Sequence, residues 1–132
     1  MHLISPPDSP PTAGYSHVAT IPAGSTLVHT SGQVPVAPDG TIAPAGDWEA
    51  QARQVFENLT TALAGGGAAW RDVFKLTVYV TDLAGLAEFR AVRDEFVDTT
   101  RPPTSSLVQV AGLVRPEFLI EVEAVAAISG GG

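Results

Sequence analysis

The sequence predicts an α+β fold in which two helices pack on one face of a β-sheet, and three observations support this prediction. Apolar residues recur at helical spacing over residues 48–63 and again over residues 83–96. Between these segments, residues 72–81 alternate apolar and polar side chains, as a strand with one buried face does. Strand-like segments on either side complete a predicted order of β-β-α-β-α-β-β, which is typical of α+β domains.

The predicted helices have clear boundaries. Asp47 is placed to cap a helix that begins at Trp48, and the run Gly65-Gly66-Gly67 ends it, because glycine readily takes the left-handed conformation of a helix stop. The second helix is followed by Pro102-Pro103, which cannot continue it. Its apolar stripe consists of Leu83, Leu86, Phe89, Val92 and Phe96.

Five segments are predicted to be strands. They are Tyr15–Thr20, Thr26–Val34, Asp72–Thr81, Ser105–Ala111 and Phe118–Ile128. Residues 35–46 form either a loop or a short edge hairpin, with Asp39-Gly40 as its turn. A sheet with both helices on one face leaves its other face open, and partner subunits are the natural source of cover.

Composition narrows the classes of function. The chain has 132 residues, no cysteine and a formal net charge of −7. This length predicts one domain over residues 1–132, with an extended Pro-rich start over 1–12 and a flexible tail over 129–132. Without cysteine there is no disulfide, thiolate site or Cys nucleophile, and three dispersed histidines do not have metal-ligand spacing. We therefore expect no metal.

Charge and hydropathy also exclude partners. The basic residues are few and scattered, which disfavours nucleic acid as a partner. No apolar run reaches the length of a membrane span, so no membrane association is expected. The first residues lack the cationic start and apolar core of a signal peptide, which predicts a cytoplasmic protein.

Several short motifs occur in a fixed order along most of the chain. They are Ala13-Gly14-Tyr15-Ser16-His17, Thr30-Ser31-Gly32-Gln33-Val34-Pro35, residues 51–59, Val80-Thr81-Asp82-Leu83, Pro103 with Ser106, and residues 120–126. In this order the motifs resemble the RidA/YjgF family, also called endoribonuclease L-PSP.

The resemblance implies a chorismate-mutase-like fold and a homotrimer whose sheets form a central barrel. It implies three ligand clefts between subunits. The best-known members of the family hydrolyse reactive 2-imino or 2-enamino acids to 2-keto acids and ammonia, without metal or cofactor. By this resemblance the partner is a small-molecule substrate.

One position departs from the family pattern. Family members hold the substrate carboxylate with an arginine in a Pro-x-Arg-Ser motif, and here the segment reads Pro103-Thr104-Ser105-Ser106, so Ser105 matches that arginine. A serine cannot supply a permanently charged, bidentate clamp. Loss of such a pair weakens binding by roughly 2–5 kcal/mol. The sequence therefore makes the family's standard 2-imino-acid deamination doubtful.

The resemblance assigns roles to four further residues. Glu121 matches the carboxylate that activates water, and Glu123 shares its strand face. Ser31 and Gly32 match a Ser-Gly-Gln motif that lines the cleft, where Ser31 is a candidate catalytic hydrogen-bond donor. Tyr15 matches a tyrosine at the border of the cleft. Each has a structural alternative, as a solvated or interface carboxylate, a strand-end turn, or a core aromatic.

His29 and Arg90 are candidates specific to this chain. On a continuous strand over 26–34, His29 shares a face with Ser31, where it is a candidate acid. Arg90 lies on the second helix beside the apolar stripe and is a candidate for the missing cation, as is Arg101. The alternatives are an interface histidine and solvated surface arginines.

Two functions remain open at this point. The first is an enzyme of the RidA superfamily that acts on a small imine, enamine or conjugated carbonyl metabolite by water- or proton-transfer chemistry. The alternative is a homotrimer that binds a small metabolite in the same clefts without turnover. Ribonuclease activity, which the older family name indicates, is disfavoured by the acidic balance of the chain.

Overall fold

Two helices pack on one face of a mixed sheet in the computed structural model, which describes residues 1–130. The strands are β1 (His2–Ile4), β2 (Val18–Thr20), β3 (Thr26–His29), β4 (Val73–Val80), β5 (Thr104–Gln109) and β6 (Ile120–Ile128). The helices are α1 (Trp48–Gly65) and α2 (Leu86–Phe96), with short 3₁₀ turns at Trp70–Asp72 and Leu83–Gly85. The predicted fold class is confirmed. Residues 131 and 132 of the predicted tail lie outside the described residues.

The main sheet has the strand order β3-β6-β4-β5. Strand β5 runs parallel to β4, whereas β6 is antiparallel to both β3 and β4. The side that packs on the helices, here called the helix face, carries the buried residues Leu76, Val78, Val80, Ile120 and Val122. The opposite side, here called the open face, carries Tyr79, Glu121 and Glu123.

Helix α1 begins and ends where the sequence indicates. The side chain of Asp47 accepts a hydrogen bond from the amide of Ala50 at 2.9 Å. At the other end, Gly67 has a positive φ of 84°. One feature of this helix was not predicted: Gln51 is fully buried, donates to the carbonyl of Glu117 at 2.8 Å and accepts from the amide of Leu119 at 2.8 Å. This buried amide ties α1 to the entry of β6.

An aromatic cluster joins the two helices. The ring of Phe56 on α1 lies 5.9 Å from Phe89 and 5.4 Å from Phe96, both on α2, and 5.5 Å from Trp70, measured between ring centroids. Phe56 is fully buried. These contacts set the position of α2 against α1 and the sheet, because closely packed aromatic rings leave little freedom for one helix to slide past the other.

The N-terminal strands differ from the prediction. The predicted strand over 15–20 is reduced to β2, which pairs with an unpredicted strand, β1, in a separate two-stranded sheet. The Pro-rich start thus supplies a paired strand. Strand β5 also ends earlier than predicted, at Gln109, and β6 begins two residues later than predicted, at Ile120.

Neither helix within residues 1–130 combines the length and the hydropathy that a membrane-spanning helix needs.

Strand β3 ends at His29, five residues before the predicted end. Continuing the β3 register would place Gly32 opposite Val122, but Gln33 occupies that position. One extra residue therefore lies between His29 and Gln33, as in a β-bulge. The bulge shifts the alternation of side chains. The predicted continuous strand over 26–34, on which His29 and Ser31 would share a face, is therefore wrong.

Truncating the central ring of the aromatic cluster tests its role. We expect Phe56→Ala to lower the free energy of unfolding by about 3–5 kcal/mol, because it leaves a cavity that three neighbouring rings cannot fill. Urea denaturation at fixed protein concentration measures the change. Glu57→Ala, at the exposed next position, is the matched control. A loss of less than about 1 kcal/mol in Phe56→Ala would show that α2 does not depend on this cluster.

Candidate functional site

A cleft of about 270 Å³ lies between helix α2, strand β5 and the segment that precedes β2. It is lined by Ala13, Tyr15, Leu86, Phe89, Arg90, Arg93, Ser105 and Leu107. Apolar walls with a few polar groups at one place are typical of small-ligand sites. Three of the predicted binding residues, Tyr15, Arg90 and Ser105, come together here.

Strand β5 forms one wall of the cleft. Ser105 is in register with Leu76 of β4, and Leu107 is in register with Val78. Both β4 residues are buried on the helix face, so Ser105 and Leu107 project to the same side, toward α2. Ser105 contributes a hydroxyl and no charge to this wall.

Helix α2 forms the second wall. Leu86, Phe89 and Arg93 follow one another at spacings of three and four residues and lie on one stripe of the helix. Arg90 is exposed at the edge of this stripe, and among the described residues it forms no hydrogen bond or ion pair. The positive charge of the cleft therefore comes from the helix and not from β5.

Arg93 was not predicted as a site residue. Only 6% of the residue is exposed. Its Nε donates to Oδ1 of Asp94 at 2.9 Å, and its Nη1 donates to the carbonyl of Ala13 at 3.1 Å. The guanidinium lies 5.8 Å from the ring centroid of Phe89. The spacing from Leu86 and Phe89 was a signal that Arg93 falls on the buried stripe, although charged residues are seldom buried.

The third wall is the segment that carries Tyr15. The amide of Ser16 donates to the carbonyl of Pro103 at 3.1 Å, and its hydroxyl donates to the carbonyl of Pro102 at 2.6 Å. The ring of Tyr15 meets that of His17 edge to face, with centroids 5.8 Å apart. These bonds fasten the segment to the chain just before β5 and hold Tyr15 at the border of the cleft.

Glu121 and Gly32 lie together, but on the open face and not in this cleft. A Cβ atom at Gly32 would overlap Oε2 of Glu121, so the glycine lets the carboxylate rest against the backbone. Ser31 is exposed beside them in the loop after β3. Within one chain the sheet itself separates this group from Ser105.

Glu123 is engaged by a neighbour, unlike Glu121. The hydroxyl of Tyr79 donates to Oε1 of Glu123 at 2.7 Å. This hydrogen bond, with smaller contributions from burial and from the charges of Glu123 and Glu121, raises the pKa of Tyr79. In the described chain, no hydrogen bond or ion pair engages the Glu121 carboxylate, which leaves it the freer of the two.

The remaining candidates lie elsewhere. His29 is exposed at the end of β3, opposite Val125 on the open face. Arg101 donates to the carbonyl of Met1 at 3.1 Å and does not line the cleft. Among the residues that the structure describes, no group of three or more His, Asp or Glu side chains is arranged to hold a metal.

Known proteins are similar to this chain in sequence and in fold. The sequence profile of the family described as endoribonuclease L-PSP matches residues 7–128. A 2-iminobutanoate/2-iminopropanoate deaminase of Salmonella typhimurium is 37% identical over 121 residues, which cover 90% of this chain and 92% of the relative.

Two solved structures are similar over nearly their whole length. A Rid-family protein of unknown function from Yersinia pestis, YyfB, has a TM-score of 0.83 at 34% identity and covers 96% of this chain and 98% of its own. Escherichia coli TdcF with bound serine has a TM-score of 0.71 at 36% identity, with 98% and 100% covered. The chain therefore belongs to the endoribonuclease L-PSP family, which includes the Rid (YjgF) proteins, and the resemblance read from its motifs is confirmed.

Removing the Glu123 carboxylate, which accepts a hydrogen bond from the Tyr79 hydroxyl, should shift the pKa of Tyr79. We expect Glu123→Gln to lower the pKa of Tyr79 toward its ordinary value, because an amide no longer stabilises the neutral phenol by charge. Tyr15→Phe serves as the background, since the chain has 2 tyrosines, and tyrosinate absorbance is followed against pH. Glu121→Gln, which acts only through its charge, should give a smaller shift. An equal or larger shift in Glu121→Gln would contradict the assignment.

Proposed function

We propose that this protein is a Rid-type enzyme that hydrolyses a small imine or enamine carrying an anionic group. In this reaction water adds to the carbon of the C=N bond, the nitrogen leaves as ammonia, and a carbonyl compound remains. The observation that carries the proposal is the gathering of Tyr15, Arg90 and Ser105 around one cleft. The deaminase name of the Salmonella relative supports the same class of reaction.

The cleft suits a small anion with an apolar part. Arg90 and Arg93 are both in its lining. Arg93 is paired with Asp94, whereas Arg90 forms no ion pair among the described residues and supplies a positive charge to the cleft of a chain whose net charge is −7. Leu86 and Leu107 line the same space and provide apolar contact. Because Ser105 supplies no charge, Arg90 takes over the part that the family assigns to an arginine at that position.

Water activation is assigned to Glu121 by the family match. A single chain keeps Glu121 on the open face and Ser105 on the helix face, so the proposal requires a second copy that brings its open face to this cleft. Two features support assembly: β5 is an edge strand, and Val108 on its open face is 47% exposed. The homotrimer that the family resemblance implies would supply such a neighbour.

Two carboxylates on one strand allow a matched test of the water-activating role. We expect Glu121→Gln to lower kcat for imine hydrolysis by roughly 100-fold or more, since general-base catalysis contributes about that much. Glu123→Gln, two residues along and on the same face, should retain activity, because its partner is the Tyr79 hydroxyl. Ammonia release is the measurement. Equal losses in both variants would point to a general disturbance of the open face and not to Glu121 as the base.

The cation of the cleft is tested by moving it. Freshly generated 2-iminopropanoate and 2-iminobutanoate are supplied to the wild type, Arg90→Gln and Ser105→Arg, and ammonia and keto acid are measured. We expect the wild type to be active and Arg90→Gln to lose at least tenfold in kcat/KM, as about 1.4 kcal/mol of binding implies. Ser105→Arg in the Arg90→Gln background should recover activity. Arg71→Gln, an exposed arginine outside the cleft lining, is the control.

The alternative function is metabolite binding without turnover. It is favoured by Ser105, because the charged group that the family uses to hold the substrate for reaction is missing at that position. If no ammonia is released by the wild type or by Ser105→Arg, while a keto acid raises Tm by mass action on the folded protein, the binding function replaces the enzyme.

A further inference from the structure

We propose that Arg93 binds the carboxylate of the substrate, together with Arg90, so that the anion site of this cleft lies on helix α2. This inference rests on the proposed function; it adds a second residue to Arg90 and names the ligand group that both bind. Arg93 is buried and fixed, whereas Arg90 is exposed and free of partners among the described residues. The pair therefore combines a preorganised guanidinium with an exposed one that has no partner within the described residues.

Three contacts hold the Arg93 guanidinium in a single orientation. Nε is bonded to Asp94 and Nη1 to the carbonyl of Ala13, and the ring of Phe89 lies nearby. A Cβ at Gly14 would overlap Nη2, so the glycine is what lets the guanidinium approach this segment closely. Because the planar group is already oriented, little further ordering is needed when an anion binds.

These contacts use two of the three nitrogens of Arg93. In the described part of the chain, Nη2 has no hydrogen-bond acceptor, yet it is not a buried unsatisfied atom, so it retains contact with solvent. Arg93 is one of the residues that line the cleft, so an anion in the cleft is the partner that we assign to this nitrogen. A guanidinium placed so deeply is stabilised further by an anion that occupies this space.

The spacing of the two arginines fits a carboxylate. Residues three apart on a helix are neighbours on its surface, so Arg90 and Arg93 face the same volume. A carboxylate has two oxygens, and each is available to one guanidinium. Leu86, Phe89 and Leu107 then face the rest of the molecule. The substrate class is a small 2-imino or 2-enamino acid with an apolar side chain.

A stable keto acid serves as the probe, so that binding is measured apart from turnover. Calorimetric titration with 2-oxobutanoate compares the wild type, Arg93→Lys, Arg93→Lys with Ser105→Arg, and the control Arg71→Gln. Lysine keeps the charge but cannot hold Ala13 and an anion with the same planar group. Thermal unfolding checks the fold of each variant. Hydrogen exchange at the Ser16 amide, bonded to Pro103, checks whether the neighbouring segment has loosened.

We expect Arg93→Lys to bind 2-oxobutanoate at least tenfold more weakly than the wild type, with Arg71→Gln unchanged. An arginine at position 105 should restore binding in the Arg93→Lys background, because it returns a charged fork to the cleft. A residue that only anchored the segment would not be rescued in this way. In the wild type itself, the side-chain nitrogen resonances of Arg93 should shift as 2-oxobutanoate is added. This measurement does not depend on whether any variant folds.

Four results would overturn the inference. They are a wild type that does not bind 2-oxobutanoate, an Arg93→Lys variant that binds it as tightly as the wild type, unshifted Arg93 resonances, and weakened binding in Arg93→Lys that Ser105→Arg fails to restore. The proposed function is judged separately by ammonia release. If 2-oxobutanoate binding depends on Arg93 but no ammonia is released, the anion site is supported and the proposed enzymatic function is wrong. If Arg93→Lys hydrolyses the imine with the same KM as the wild type, the enzymatic function is supported and the anion site is wrong.

Discussion

The packing of Phe56 against Phe89 is the contact on which the rest of the cleft depends. The two rings, 5.9 Å apart, hold α2 against α1. Phe89 then serves two sides at once, since it also forms part of the cleft wall and lies beneath the Arg93 guanidinium. A shift of α2 along its axis would move both arginines relative to Ser105. The packing of the hydrophobic core thus sets the positions of the polar groups in the cleft, although those groups lie outside the core.

The sheet separates the two halves of the candidate site. Ser105 projects toward α2, and Glu121 projects from the opposite face, as their register with Leu76 and Tyr79 requires. No side-chain rotation brings them together through a sheet. If the proposed reaction occurs, one subunit binds the anionic end of the substrate and its neighbour positions the water. The isolated subunit would then be a folded but chemically incomplete unit.

Much of this fold could be predicted from local sequence signals. The cap at Asp47 and the glycine stop depend on their own segments, and both predictions are confirmed. The alternation predicted over 72–81 is confirmed from Lys75 to Val80, and a bulge between Val73 and Lys75 interrupts it at the start of the strand. The end of β3 could not be predicted, because Thr30-Ser31-Gly32 continues an extended pattern and the bulge depends on pairing with β6. Register between distant strands is a tertiary property, which a linear pattern does not contain.

The sequence predicts those site residues whose chemical type alone indicates a role. It does not predict residues whose role depends on the contacts they make in the fold. Tyr15, Arg90 and Ser105 were found by motif or by charge, and the structure places them in one cleft. The sequence does not predict Arg93 as a buried site residue, because an arginine on an apolar stripe is ordinarily solvated at the stripe's edge. Its burial follows from the Ala13 carbonyl and the Asp94 carboxylate, and the first of these comes from 80 residues away along the chain.

The close approach of Gly14 to Arg93 makes these two positions epistatic. Gly14 has a φ of 80°, a conformation that side chains rarely adopt, and its missing Cβ is the space that Nη2 occupies. With a shorter residue at position 93, a side chain at position 14 would no longer overlap Nη2. Only the strained backbone conformation would then disfavour a residue other than glycine at position 14. The effects of substitutions at the two positions are therefore not additive. A mutant library that varies either position alone would sample a different fitness landscape from one that varies both together.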